Sequence, residues 1–126
     1  MKDRNGMTQF NFDQKRFVGV ENYDDGDLTK EVIFHYHQDG TVIRGTFEGG
    51  RVIEGKLLAE ILEDGRLDMI WRYTNVDGDV VYGTCVSTPE LLPDGRYRLH
   101  ESWTITGGPN QGESGQSVIE EIRNEE

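Results

Sequence analysis

Two turns and the residues between them decide the fold of this chain, and they lie in the segment DGRLDMIWRYTNVDG at positions 64–78. Asp64-Gly65 and Asp77-Gly78 are strong turn signals, because glycine accepts the positive φ angle that tight hairpin turns require. Between the turns, large apolar side chains alternate with polar ones, which is the period of a β-strand that buries one face. The apolar positions are Leu67, Met69, Trp71 and Tyr73. The segment therefore predicts one strand of an antiparallel sheet, joined to its neighbours by short turns.

The same arrangement recurs along the chain. Further turn signals stand at Asp25-Gly26, Asp39-Gly40, Gly49-Gly50 and Asp94-Gly95, and in the loop 107–112. The runs between these turns are rich in β-branched and aromatic residues, which favour strands. They predict strands near residues 15–21, 30–38, 41–48, 51–62, 66–75, 79–88, 96–106 and 115–123.

The predicted strands indicate an all-β fold. Consecutive strands joined by short turns pair with their sequence neighbours, so we expect a single antiparallel up-and-down meander of about eight strands. A flat meander of this length would expose two edges, and closure into a calycin-like barrel removes both. We expect the barrel domain over residues 15–123, between a flexible N-terminal segment 1–14 and a frayed C-terminus 124–126.

Alternation along the strands predicts which side chains point into the barrel. Glycines on this inner face are expected to let the sheet bend and to make room for Trp71 and Trp103, or to open volume for a ligand. The predicted inner face consists of Val32, Phe34, Tyr36, Ile43, Gly45, Phe47, Ile53, Gly55, Leu57, Ala59, Ile61, Leu67, Met69, Trp71, Tyr73, Val81, Gly83, Cys85, Leu99, Glu101, Trp103, Ile105, Val118 and Ile122.

Net charge, cysteine content and the lack of long apolar runs bear on the partners and the location of the protein. The net charge is -11, which disfavours nucleic acids and anionic membrane surfaces and weakly favours neutral or cationic small ligands. The single cysteine cannot form an intramolecular disulfide. The N-terminus has no apolar run of the kind that a signal peptide needs, and no segment is apolar enough to cross a bilayer. We therefore expect a cytoplasmic protein of bacterial type.

Glu101 is the most informative residue of the predicted inner face. It lies between Leu99 and Trp103, where an unpaired carboxylate would be costly. It needs a hydrogen-bond partner, for which Tyr36 and Tyr73 are candidates, or a raised pKa, or a water-filled cavity. Glu101 is either the polar anchor of an aromatic pocket or a structural hydrogen-bonding group. The candidate pocket residues are Tyr36, Phe47, Trp71, Tyr73, Glu101 and Trp103.

Other residues give weaker signals. His35 and His37 share one strand face, but that face is predicted to be exposed, and we expect no metal and no cofactor. Cys85 is expected to be packed in the core. Pro89 is expected to end strand pairing, which would make residues 87–90 a loop at the barrel rim. No nucleophile elbow, P-loop or paired-carboxylate site can be assembled, so the sequence leans against an enzyme.

Three functions follow from these features. An eight-stranded barrel can hold one small ligand, and a small apolar or neutral molecule would need a cavity of about 300 Å³ or more. Alternatively, a filled barrel could act as a structural or protein-interaction module, with a homodimer formed through Val42, Val52, Leu58, Ile70, Val80 and Tyr82. Catalysis through Glu101 is the third hypothesis.

Several segments resemble a known family. They are Phe34-His-Tyr36, Gly83-Thr-Cys85, Ser87-Thr-Pro-Glu90, Asp94-Gly-Arg96, Leu99-His-Glu-Ser-Trp103 and Ser117-Val-Ile-Glu-Glu-Ile122. From about residue 15 onward, the chain resembles a family of small uncharacterised bacterial β-proteins that are often labelled N-acetylglutamate synthase. That label implies acetyl transfer, but an acetyltransferase of the usual fold has an α/β architecture and a glycine loop before a helix, which this sequence lacks. In predicted shape alone, the chain is similar to the lipocalins and avidins, although Gly19-Val-Glu-Asn-Tyr23 lacks the tryptophan of the lipocalin motif.

Overall fold

A computed structural model describes residues 10–23 and 26–123 of the chain. Every strand pairs antiparallel with the next one in sequence, and the first pairs with the last, so the sheet is a closed barrel. This confirms the predicted fold class. The strands are β1 Lys15–Glu21, β2 Ile33–Asp39, β3 Val42–Gly49, β4 Val52–Ile61, β5 Leu67–Asn75, β6 Val80–Leu91, β7 Tyr97–Gly107 and β8 Ser114–Glu121. The described part of the chain contains no helix that is long and apolar enough to cross a membrane.

The strand boundaries agree with the predicted ones to within three residues, but the expectation at Pro89 is wrong. Strand β6 continues through Pro89, which pairs with Leu99 of β7, and reaches Leu91. The pairing of β6 with β5 ends at Ser87, so beyond that residue one edge of β6 is free. Proline is tolerated on a free edge, because its missing N–H removes no ladder hydrogen bond there. Residues 87–90 therefore form a strand rather than a loop at the rim.

The inner faces predicted for β4 and β8 also need correction. A bulge between Val52 and Glu54 turns Val52 inward, to 3% exposure, and leaves Ile53 outside at 59%. An extra residue in one strand reverses the side-chain alternation, which no count along the sequence reveals. In β8, Ser117 and Ile119 lie opposite Glu101 and Leu99 on the inner face, where Val118 and Ile122 were expected. Both faces of β8 carry buried side chains, so the pattern of apolar residues along this strand does not indicate which face points into the barrel.

Residues 10–14 close one end of the barrel. The Phe12 side chain is 0% exposed and packs edge-on against Tyr97, with 5.4 Å between the ring centroids. The backbone N–H of Phe12 donates to Gln38 Oε1 at 2.8 Å, and that of Gln14 donates to the Tyr36 carbonyl at 2.8 Å. The core of the barrel therefore begins before the predicted boundary at residue 15. Residues 1–9 and 124–126 lie outside the described residues.

Large side chains inside the barrel lie across from glycines on the neighbouring strand. Trp71 pairs with Gly83, and Phe47 pairs with Gly55. A Cβ atom on either glycine would overlap the facing ring. The ring of Trp103 faces Gly115 in the same way, and a Cβ there would lie 2.6 Å from it. The prediction that inner glycines make room for the tryptophans holds for Gly83 and Trp71, whereas Trp103 uses a glycine that the sequence analysis did not single out.

Candidate functional site

A cavity of about 180 Å³ lies inside the barrel, on the side of the core away from Phe12. Its mouth is lined by exposed residues of the loops between β1 and β2 and between β7 and β8, among them Asn22, Gly26, Asn110 and Glu113. The volume is smaller than the roughly 300 Å³ expected for a pocket that encloses a larger ligand. All the candidate pocket residues line this cavity, namely Tyr36, Phe47, Trp71, Tyr73, Glu101 and Trp103. Their role in binding stays a prediction.

Glu101 lies at the buried side of the cavity, where hydroxyl groups surround its carboxylate. The side chain belongs to β7, points inward as predicted and is 8% exposed. Tyr23 Oη donates to Glu101 Oε1 at 2.9 Å, Ser117 Oγ donates to the same oxygen at 3.3 Å, and Ser87 Oγ donates to Oε2 at 3.4 Å. Burial raises the pKa of Glu101 to about 7, although the hydrogen bonds from these hydroxyls oppose the rise.

The partners proposed for Glu101 from the sequence, Tyr36 and Tyr73, are both wrong. Tyr36 is fully buried, and its hydroxyl oxygen has no hydrogen-bond partner among the described residues. Burial and the nearby carboxylate of Glu101 raise the pKa of Tyr36 well above its usual value. The hydroxyl of Tyr73 donates instead to Asp27 Oδ2 at 3.0 Å. The cavity wall therefore holds the hydrogen-bonded carboxyl group of Glu101 and, among the described residues, the unpartnered hydroxyl group of Tyr36.

Asp27 ties the loop between β1 and β2 to the opposite rim of the mouth. Its Oδ1 accepts a hydrogen bond from Arg51 Nε at 2.9 Å, and its Oδ2 accepts from Tyr73 Oη and Asn75 Nδ2, both at 3.0 Å. Partial burial raises the pKa of Asp27, but the hydrogen bonds from Asn75, Arg51 and Tyr73 outweigh it, so this pKa lies below its usual value. Asp27 is therefore held in place in the cavity wall.

Aromatic rings form much of the remaining wall. Trp71 and Tyr73 are stacked, with 6.0 Å between their ring centroids, and the ring of Phe47 meets Tyr73 edge-on at 6.1 Å. Trp71 Nε1 donates to the Thr84 carbonyl at 3.2 Å, which fixes the indole in place. Rings held in this way form a wall whose side-chain freedom is already restricted.

The weaker candidates lie away from the cavity or are inert. His35 is half-exposed and faces Glu48, with 3.4 Å between Nε2 and Oε2, while His37 is exposed. No three metal-ligating side chains converge in the described ranges 10–23 and 26–123. Cys85 is buried in the cavity wall, and burial raises the pKa of its thiol. A thiol with a raised pKa is a poor nucleophile, which agrees with the packing role expected for it.

The closed meander with an internal cavity has a counterpart among known families. The family model described as avidin-like protein matches residues 10–122 of the chain. The chain belongs to the avidin-like family. No curated protein and no solved structure gives a significant match. The avidin-like assignment confirms the predicted likeness in shape, while the N-acetylglutamate synthase label receives no support.

Sequence reasoning missed the four residues that hydrogen-bond Glu101 or Tyr73 of this avidin-like cavity, which are Tyr23, Asp27, Ser87 and Ser117. Ser87 could have been found, because a hairpin centred on Asp94 places Ser87 directly opposite Glu101, and the structure shows this pairing. Ser117 could have been found only if the register between β7 and β8 were known, and the length of the loop 107–112 does not determine that register. Tyr23 and Asp27 lie in an irregular loop, where no period indicates the direction of a side chain.

Proposed function

We propose that the protein binds one small, largely apolar organic molecule inside the barrel. The observation that carries this proposal is the cavity of about 180 Å³, which has aromatic walls and a buried carboxyl group at one side. Apolar pockets with a few convergent polar groups are the usual form of small-molecule sites. Proteins of the avidin-like family are barrels that typically bind small ligands, which supports the same function.

The volume limits the size of the ligand. An apolar cavity of about 150 Å³ in another protein accommodates benzene, so the cavity here has room for a single ring with a short substituent. The polar end of that substituent would lie against Glu101, and the ring would lie against Trp71 and Tyr73, which line the same cavity.

Obstruction of the cavity is expected to abolish binding. Ile105 lines the cavity, and Ile105→Trp would place a large ring in it, whereas Leu91→Trp adds the same ring at the end of β6, where Leu91 is 60% exposed. Titration with benzyl alcohol, followed through backbone amide NMR signals, should shift cavity residues in the parent and in Leu91→Trp but not in Ile105→Trp. Shifts that spread over the outer surface, or that persist in Ile105→Trp, would contradict the proposal.

A second function, self-association, is favoured by apolar side chains on the outer face of β4 to β6. Leu58 and Ile70 are directly opposite each other and are 41% and 57% exposed, and Tyr82 of β6 is 51% exposed. Of the residues expected in such a patch, Val52 must be removed, because the bulge in β4 buries it. Members of the avidin-like family often form oligomers, which is consistent with a homodimer through this face.

The homodimer has a direct test in solution. Light scattering at micromolar concentration should give a dimer for the parent and a monomer for Ile70→Lys, because a lysine in the centre of an apolar interface would be buried without a partner. Ser102→Lys adds the same charge to an exposed position of β7 and should remain dimeric. A monomeric parent would exclude this second function.

A further inference from the structure

The charged groups of the cavity are all acidic. Asp27, Glu101 and Glu113 line it, and within the described ranges no lysine, arginine or histidine does so. Asp27 is balanced by Arg51, which lies outside the lining. Glu113 is exposed at the mouth, and Glu101 is buried at the far side. A molecule that enters the cavity therefore passes from one carboxylate to another.

Among the described residues, no cation faces Glu101 from the strands that surround it. The groups around its carboxylate are Tyr23 after β1, Tyr36 of β2, Cys85 and Ser87 of β6, and Ser117 of β8. All of these groups are neutral at pH 7, and three of them donate hydrogen bonds. Burial without a counter-charge is the reason that Glu101 holds its proton up to about neutral pH. A cation placed in the cavity would reverse that effect and stabilise the carboxylate.

The hydroxyl of Tyr36 points independently to a ligand. Its side chain is 0% exposed, lines the same cavity as Glu101, and lacks a hydrogen-bond partner in the part of the chain that the structure describes. A buried polar atom without a partner costs about 1–3 kcal/mol. An N–H group of a ligand could donate to the Tyr36 oxygen while its neighbour donates to Glu101, which a protonated amine can do because it carries several donors.

The walls also suit a positive charge. The faces of Trp71, Tyr73 and Phe47 carry the negative lobe of the ring quadrupole, and all three rings line the cavity. A cation within about 6 Å of such a ring centre gains roughly 0.5–2 kcal/mol, and more of this is realised where water is excluded. Aromatic walls beside a carboxylate are the usual means by which proteins hold organic ammonium groups.

We propose that the ligand of this cavity is a small organic cation, a single-ring or compact aliphatic amine whose N–H groups bind Glu101 and the Tyr36 hydroxyl. This inference rests on the proposed function. It replaces the apolar or neutral ligand expected for the barrel interior with a cation, which the net charge of -11 already weakly favoured. The aromatic walls hold the hydrocarbon part of the amine. The acidic mouth attracts the cation and repels anions.

Benzylamine and benzyl alcohol test the inference, because they have nearly the same shape and differ in charge. At about pH 8 the parent should bind benzylamine at least about tenfold more tightly than benzyl alcohol, a difference that one buried ion pair readily supplies. At about pH 6, where Glu101 is mostly protonated and benzylamine is still a cation, that advantage should shrink severalfold. Affinities come from the same NMR titrations.

Variants locate the origin of the preference. Glu101→Gln should remove the advantage of benzylamine, so that both probes bind alike, and Tyr36→Phe should reduce it severalfold. Glu60→Gln, which removes an exposed carboxylate from the outer face of β4, should keep the full preference. The inference is overturned if the parent binds the two probes equally, or if Glu60→Gln lowers the preference as much as Glu101→Gln. Failure of both probes to bind the parent would reject the proposed function as well.

Discussion

Glu101→Gln is expected to make the barrel more stable than the parent at about pH 8 and to lose this relative advantage as the pH falls to about 4. The pKa of Glu101 is about 7 in the folded protein and 4.5 in the unfolded chain. A raised pKa means that folding favours the protonated acid, so the stability from Glu101 is fully present below pH 4.5 and is lost as the pH rises through 7. This difference corresponds to about 3 kcal/mol. Glutamine keeps the shape but has no proton to lose.

The measurement is urea unfolding of both proteins across this pH range. The difference in unfolding free energy between Glu101→Gln and the parent should move by about 3 kcal/mol in favour of the variant between pH 4 and 8. The other acids, such as Asp27, are present in both proteins and cancel. Tyr23→Phe serves as a control, because loss of its hydrogen bond should raise the pKa of Glu101 further and shift the transition to higher pH. A difference that does not change with pH would show that Glu101 is not buried as described.

Phe12→Ala is expected to destabilise the barrel by about 3–5 kcal/mol, which is the usual cost of removing a fully buried phenylalanine. The ring is 0% exposed and packs against Tyr36 and Tyr97 at the closed end of the barrel. Its loss would leave a cavity between these rings and the ends of β2 and β7. Denaturant unfolding with a constant m-value measures this loss.

Phe10→Ala provides the matched control, because it removes the same side chain from the same segment. Phe10 is half-buried and contacts Tyr97 edge-on at 4.9 Å, so its loss should cost clearly less than that of Phe12. If residues 10–14 belonged to a flexible segment, both substitutions would change stability by less than about 0.5 kcal/mol. That result would restore the boundary at residue 15 that the sequence suggested.

Turn chemistry and alternation were sufficient to predict the strands and the closed meander. Asp64-Gly65 and Asp77-Gly78 fix both ends of β5, and its inner side chains lie where a period of two places them. The structure adds two features that depend on tertiary context. No feature of the sequence indicates the bulge at Val52. The free edge that accommodates Pro89 exists only because β5 begins at Leu67.

The candidate site was predicted less completely than the fold. The inward direction of Glu101 follows from its neighbours Leu99 and Trp103, and the aromatic wall follows from the same alternation. The hydroxyl that binds Glu101 most closely is that of Tyr23, which lies 78 positions away in an irregular loop. Contacts of that kind depend on the path of a loop across the barrel mouth. The sequence of an irregular loop has no periodicity from which that path could be predicted.

The pairing of rings with glycines inside the barrel has a consequence for how this protein can change over evolutionary time. The ring of Phe47 occupies the space where a side chain at position 55 would lie. A larger residue at Gly55 would therefore overlap the ring, and a smaller residue at Phe47 would leave a void. The same holds for Trp71 with Gly83. A viable lineage would exchange both members together, or keep both. Where the cavity wall is built from such a cross-strand pair, its shape can therefore change without an overlap or a void only when both members of the pair change.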